Sequence, residues 1–519
     1  MKTKLPGNIL TALLSAATIG MAQAENSAYT GNVVVDKQFV VKKGEVNIGD
    51  DKTATDFSIQ YSGKPDESFI VAGGGVLNVN NATISGIPEE KQMVVGDFHF
   101  KDDNGSVDGT VNVTNGSTVN LTNATTLIVG YCTNSNKSSG TINVDEASTF
   151  HAASNSLWLY SGTINVKNDS TFTTSTQTGN LTGVYGAYRT ILAGYGQTAN
   201  VNVENGSSFT SGASRFVSNF GFNTTVNISV SGKDENGNAS TFTQLAQIPT
   251  GDTRTVTYLC DSGDKSDGEK MSEVNNCTTN ISATDGGVVD FQSDTTYIGR
   301  STDKNLGYTN KTANLTIGKG SRMSFKAMEI YSRTNIVNDG AFKATSITLG
   351  NGCNLTVASS TNPSAVTQID ELMILEGAEL SNSGTMEGSI FMDGGTFTME
   401  DGAVAGGLTA TSGTIYLNGN VTFTGEVILG TAAISNYALM MLSGESDALT
   451  LYISQGATIN ADELTVGSGT NVAVVLNEGV IYEDGMELFT VTGNDAVKVE
   501  SMQTALGRSE ERRVGKECR

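Results

Sequence analysis

Between Ile142 and Phe172 the chain says nearly the same thing twice: "INVDEASTF" starting at Ile142 and "INVKNDSTF" starting at Ile164. Each phrase is apolar, polar, apolar, then a turn of Asn, Asp or a small residue, then a small polar residue and Phe. A catalytic motif seldom recurs, whereas a structural rung must. Relatives begin at Val111 ("VNVTNGSTVNL"), Val201 ("VNVENGSSF"), Val226 ("VNISVSG") and Leu315 ("LTIGKGSRMSF"), with looser versions at Asn335 ("NIVNDGAF") and Gly395 ("GTFTMEDGAV"). Their spacing is uneven, so a real period is interrupted by insertions.

Strands this short cannot bury an apolar face alone. Stacking coil on coil solves the problem, because positions like Val111 and Val113 then form continuous internal ladders while the intervening Asn residues face out or sit in turns. The expected fold is therefore all-β, a right-handed parallel β-helix (β-solenoid) with loop insertions. Asn and Gly suit its corners because both tolerate left-handed backbone angles. The chain has only 5 Pro, as central parallel strands require, since each residue there needs its N–H. A body from Glu25 to Gly507, at roughly 20–25 residues per coil and about 4.8 Å per coil, gives about 20 coils and a rod near 100 Å. The rival, a string of immunoglobulin-type sandwiches, needs longer and less similar repeats.

Both ends stand apart from this body. "MKTKLPGNILTALLSAATIGMAQA" has a basic start at Lys2 and Lys4, an apolar stretch from Ile9, and Ala22-Gln23-Ala24, the pattern of a signal peptide (1–24) cleaved after Ala24. Its apolar stretch is too short for a spanning helix. The last residues, 508–519, "RSEERRVGKECR", are densely charged and resemble the conceptual translation of a sequencing adapter. They are set aside as a non-native tail, with the expectation that the gene continues past Gly507. Between the ends, the sequence divides into an N-terminal cap or irregular β region (25–70), a solenoid with insertions (71–360, including a loop at about 231–277), and a more regular solenoid with a terminal cap (361–507).

Removing the tail's five basic and three acidic residues, and the leader's two lysines, from 31 basic and 54 acidic residues leaves 24 against 51, a net of −27. Such a surface repels nucleic acid and anionic membranes, so nucleic-acid partners are excluded. With 38% apolar residues the chain can still build a large core.

A cleavable leader, short Gly/Asn/Thr/Ser-rich rungs and few cysteines resemble the passenger regions of bacterial autotransporters, and related exported β-helix proteins with a Pro-Glu-Pro-type sorting signal. "YEDGMELFTV", from Tyr482 to Val491, is similar to the strand that often closes such passengers. The resemblance implies display at the cell surface or in the extracellular space, and adhesion to host or matrix glycans or proteins, or to further copies of itself. Membrane anchoring would come only through a C-terminal segment missing from this sequence.

Catalysis has little to rest on. The series "NTD…DD…GHG…RIK" of polygalacturonase-like sites is lacking. The pairs Asp50-Asp51 and Asp102-Asp103 lie in turns, and the six body arginines (Arg189, Arg215, Arg254, Arg300, Arg322, Arg333) are scattered. A polysaccharide lyase needs a base beside a carboxylate-stabilising cation. The expectation is a non-catalytic adhesin-like scaffold without cofactor, the alternatives being a carbohydrate-active β-helix enzyme and a self-assembling matrix protein.

Three features carry candidate chemistry. Cys260 and Cys277 flank sixteen residues that read as a loop, and export permits them to form a disulfide worth about 3 kcal/mol in the chain-entropy model. Cys132 and Cys353 are expected to be buried thiols. In the same loop Asp261, Asp264, Asp267 and Glu269 read as a solvated polar turn, with Ca²⁺ binding as the sharper alternative. Finally, "SLWLY" sends Leu157 and Leu159 inward, and so turns Trp158 and Tyr160 to the other face as a candidate glycan contact.

Overall fold

In a computed structural model, the protein's elements among the described residues are all β-strands, with no helix. The structure describes residues 17–19, 22–24, 26–61, 63, 66–88, 91–121, 124, 126–152, 156–174, 189–246, 255–261, 276–299, 310–358, 360–429, 449–453, 457–461, 464–466, 472–476, 489–492 and 498–499.

The repeated phrase finds its explanation in register. Ile142 pairs in parallel with Ile164, Asn143 with Asn165, Val144 with Val166 and Phe150 with Phe172, each residue stacked on its twin one coil away. A coil here has three strands. Gly109–Thr114, Thr118–Asn120 and Thr126–Tyr131 pair in order with Gly140–Val144, Thr149–His151 and Ser156–Leu159. The chain forms a parallel β-solenoid, as the rungs require.

Each position of the phrase has a physical job. The apolar pair points inward: Val111, Val113, Ile142, Val144, Ile164 and Val166 are buried, each contributing about 1.5–3 kcal/mol. The chain then turns through two successive left-handed residues, Asn115-Gly116, Asn168-Asp169 or Asn205-Gly206. Asn and Gly meet that demand at low cost. Glu146-Ala147 adopts the same conformation without either residue. There Asp145 Oδ1 accepts the Glu146 N–H, and stacked turns supply the rest through Gly116 N–H to Glu146 O and Ala147 N–H to Asn168 O.

After the turn comes a buried serine ladder. Ser148 Oγ accepts the backbone N–H of Ser117, Ser170 Oγ that of Ser148, and Ser207 Oγ that of Ser170, each at 3.1 Å. These hydroxyls satisfy the corner amides that the tight turn withdraws from the strand ladder. The phrase ends on a stack of rings: Phe150, Phe172, Phe209 and Phe242 follow one another at 5.0–5.1 Å, within 12° of parallel.

The chain divides into two compact units, one built mainly from Met1–Thr296 and the other mainly from Ser324–Arg519. In the first, coil length runs from 16 residues at the Ala17/Val33 pairing to 53 at the Asn227/Asn280 step. In the second it tightens to 18 at the Glu400/Asn418 step. Residues 25–70 carry coils of their own, since Asn32–Val35 pairs with Asp56–Ile59, and Phe39–Ile48 with the following coil. Ala17–Ile19 and Ala22–Ala24, inside the expected leader, pair with Val33–Val35 and Phe39–Val41. Within the span expected as a loop at 231–277, Thr241–Gln244 and Val256–Leu259 are coil strands.

Candidate functional site

The outward residue between each buried pair is an asparagine, and these asparagines form a chain. Asn202 Nδ2 donates to Asn165 Oδ1 at 2.8 Å, Asn165 to Asn143 at 2.7 Å, Asn143 to Asn112 at 2.7 Å, Asn112 to Asn78 at 2.8 Å and Asn78 to Asn47 at 2.9 Å. Every donation runs the same way, toward the N-terminal coils, so the bonds polarise one another. Each is worth about 1 kcal/mol net. A parallel chain runs along the turns, where Asn115 Nδ2 donates to Asn80 Oδ1 and Asn80 Nδ2 to Asp51 Oδ1 at 2.7 Å.

Where the two chains end, the surface is concave. A groove of about 710 Å³ is lined by Ala28, Thr30, Asn47, Gly49, Asp51 and Asn78, among others, within the size range of small-ligand sites. Small residues create the hollow. Ala28 stacks on Asn47 in register and has only a methyl where the ladder would put the next amide. Gly49, at φ 83°, lies where a Cβ would meet Asn80 O at 2.0 Å, so no side chain fits. Asn47 Oδ1 accepts from Asn78, while its Nδ2 donates to no described residue. Asp50, on the rim, accepts the N–H groups of Lys52 and Thr53 on Oδ1, and these bonds hold its carboxyl below the ordinary range.

The residues singled out in the sequence fare differently. Leu157 and Leu159 are fully buried and Trp158 is half-buried. Tyr160, however, is 6% exposed, stacked at 5.7 Å on Trp158 and packed against Tyr195 and Phe220. The expectation of an open Trp158/Tyr160 contact is therefore corrected for Tyr160, whose ring is a support. Alternation stops at Tyr160, the residue after the strand ends, so face cannot be counted there.

Cys260 and Cys277 lie together as thiols with no exposure, Cys260 Sγ pointing to Cys277 O at 3.7 Å and to Thr279 Oγ1 at 3.4 Å. The contact with Cys260, and burial, hold the Cys277 thiol above its ordinary range. Cys132 and Cys353 are buried thiols, pushed by burial up to about 12. Such thiols react slowly. Asp261 is buried, while Asp264, Asp267 and Glu269 lie outside the described residues. Among the described residues no three His, Cys, Asp or Glu side chains gather as a metal site.

Stacking does bring two of the scattered arginines together, Arg189 pairing in register with Arg215. Asp97 Oδ1 bonds His99 Nδ1 at 2.8 Å beside the stacked rings of Phe98 and Tyr131. His151 Nδ1 meets Thr173 Oγ1 at 2.7 Å. Neither histidine has a serine or cysteine bonded to it among the described residues. The groove has no motif in the sequence because its signal is a missing residue: an Ala at a ladder position that only register reveals. No family model matches the chain, and no curated protein or solved structure matches it.

Proposed function

We propose that this protein is a non-catalytic, exported bacterial surface or extracellular scaffold of adhesin type, making multivalent contacts along its solenoid. The observation that carries this reading is the amide ladder. One hydrogen-bonding side chain recurs on the same outer face at one-coil intervals from Asn47 to Asn202. A repeated, rigidly spaced donor–acceptor row suits weak repeated contact with a polymer, whose summed strength exceeds any single contact. The leader-like N-terminus supports export, and the acidic balance favours neutral or cationic partners.

The test compares the soluble protein with the same protein clustered on beads, for adhesion to immobilised neutral glycans and matrix glycoproteins. Clustering is expected to raise apparent affinity by about 10²-fold or more. Adhesion no greater than that of beads carrying an inert protein of equal negative charge would sink the proposal. Turnover of an acidic polysaccharide that survives stringent purification would replace it with the enzyme reading.

A further inference from the structure

We infer that the groove at the N-terminal end of the amide ladder is a binding site for a neutral N-acetylated amino sugar. The acetamido carbonyl takes the place of the missing rung above Ala28. This deepens the scaffold reading and rests on its claim that the outer amide face is the contact surface.

Polarity makes the first part of the argument. The ladder is a directed chain, each amide accepting on one side and donating on the other, and it terminates at Asn47 with an outward donor. What fits beyond a terminal donor is an acceptor in a planar group of amide size. An Asn at position 28 would supply one, but the chain has Ala28 in register with Asn47. A ligand acetamide reproduces the missing side chain atom for atom from its carbonyl to its nitrogen, and the same cooperativity that joins the ladder strengthens the bond at its end.

The remaining lining selects the rest of the ligand. Asp51, which accepts Asn80 Nδ2 on Oδ1, lines the groove with a second carboxylate oxygen not used in that bond, and Thr30 adds a hydroxyl. These are partners for sugar hydroxyls. Asp50 and Asp51 at the rim, and the net charge of the chain, work against uronic, sulfated or sialylated sugars. A peptide is disfavoured because extended peptides dock on open strand edges. Here Val46–Ile48, the segment that carries the terminal donor Asn47, is already paired on both sides, with Ser27–Tyr29 on one and Leu77–Val79 on the other.

The experiment titrates the protein with three probes by calorimetry and saturation-transfer NMR. Diacetylchitobiose carries the acetamides. Cellobiose has hydroxyls in their place, and N-acetylalanine methylamide has the amide without the sugar. Diacetylchitobiose is expected to bind at least about tenfold tighter than either of the others. Ala28→Asn, which supplies the missing rung at an exposed position, should abolish that binding without lowering the unfolding temperature. Asp51→Asn, which preserves the acceptor for Asn80, should weaken it at least about threefold.

Equal binding of cellobiose overturns the inference, equal binding of the methylamide replaces the sugar with a peptide-like amide, and unchanged binding by Ala28→Asn moves the site elsewhere. The two readings fail separately. Bead adhesion that persists while diacetylchitobiose stays silent removes the groove alone. A groove that binds while beads do not adhere removes the scaffold.

Discussion

The two units build the same coil with different means. In the unit from Met1 to Thr296, the coils from Asn47 onward are long, with 31, 34, 31, 22 and 37 residues at successive Asn-ladder steps. Long coils enclose room for a column of phenylalanine rings and project a face broad enough for two amide chains. In the unit from Ser324 onward, steps shrink to 18 and 19 residues between Met392 and Asn418, before widening to 36 at the Gly413/Leu449 pairing. There the ring column gives way to aliphatic stacking, as where Phe397 sits between Leu380 and Ile415. The corners are sharpened by glycines: Gly388, Gly394, Gly395 and Gly413 all have positive φ between 70° and 116°. Glycine corners that leave no room for a side chain occur in both units, as at Gly130 and Gly162 in the first, but the four-ring column belongs to the long coils.

The largest test of this contrast is in the core. Phe172→Ala removes the middle of a four-ring column, so it loses burial and two ring–ring contacts. We expect about 4–5 kcal/mol of destabilisation. Phe397→Ala, equally buried but without ring neighbours in register, should cost about 3 kcal/mol. The shift in denaturant midpoint measures both. Equal costs would mean that the ring column adds nothing beyond buried area.

Next in size are the corners. A Cβ at Gly413 would lie 2.6 Å from Gly395 O and 2.7 Å from Gly394 C, both backbone atoms of the adjacent coil, with φ at 105°. Gly413→Ala should therefore cost about 3 kcal/mol. At Gly116 in the longer coils, φ is 68° but nothing lies within 4 Å of the added atom. There only the left-handed strain remains, and Gly116→Ala should cost about 1 kcal/mol. If the two cost the same, the short coils are not tightened at their glycines.

How much of this could be read from the sequence depends on whether the cause is local. The rung phrase encodes its own coil: the alternation gives the buried pair, and Asn-Gly gives the left-handed turn. The serine after it betrays a small polar site, so the parallel solenoid follows directly. Coil length does not, because insertions such as the one that stretches the Asn227/Asn280 step to 53 residues interrupt the period. The groove was hidden for a related reason. That Ala28 belongs beneath Asn47 is a fact of register between strands of different lengths, and that register is set by the rungs beyond them. Tyr160 shows the limit of alternation, whose rule expires one residue past the strand end.

The smallest effect concerns the carboxylates that hold turns, and it too separates the units. Asp339 Oδ1 accepts Ser360 Oγ and the Thr361 N–H, each at 2.8 Å, and so ties its own turn to the next coil. Asp50 Oδ1 accepts the N–H groups of Lys52 and Thr53, two and three residues away. The hydrogen bond from Ser360 leads in holding the Asp339 carboxyl below the ordinary range, and the Lys52 N–H does so for Asp50. A carboxyl with a lowered folded pKa contributes stability above its unfolded value, and that contribution disappears as pH falls through the folded one. Both aspartates should therefore steepen acid unfolding below about pH 4. Their replacement by Asn should flatten that limb, since Asn Oδ1 still accepts but does not titrate. The Asp339 bonds exist only when coils are stacked, whereas a chain turn at Asp50 can form them before folding is complete. Asp339→Asn should then flatten the acid limb more than Asp50→Asn, measured as stability against pH between about 2 and 5. The reverse order would place the coil-to-coil grip of the tight unit somewhere other than its turns.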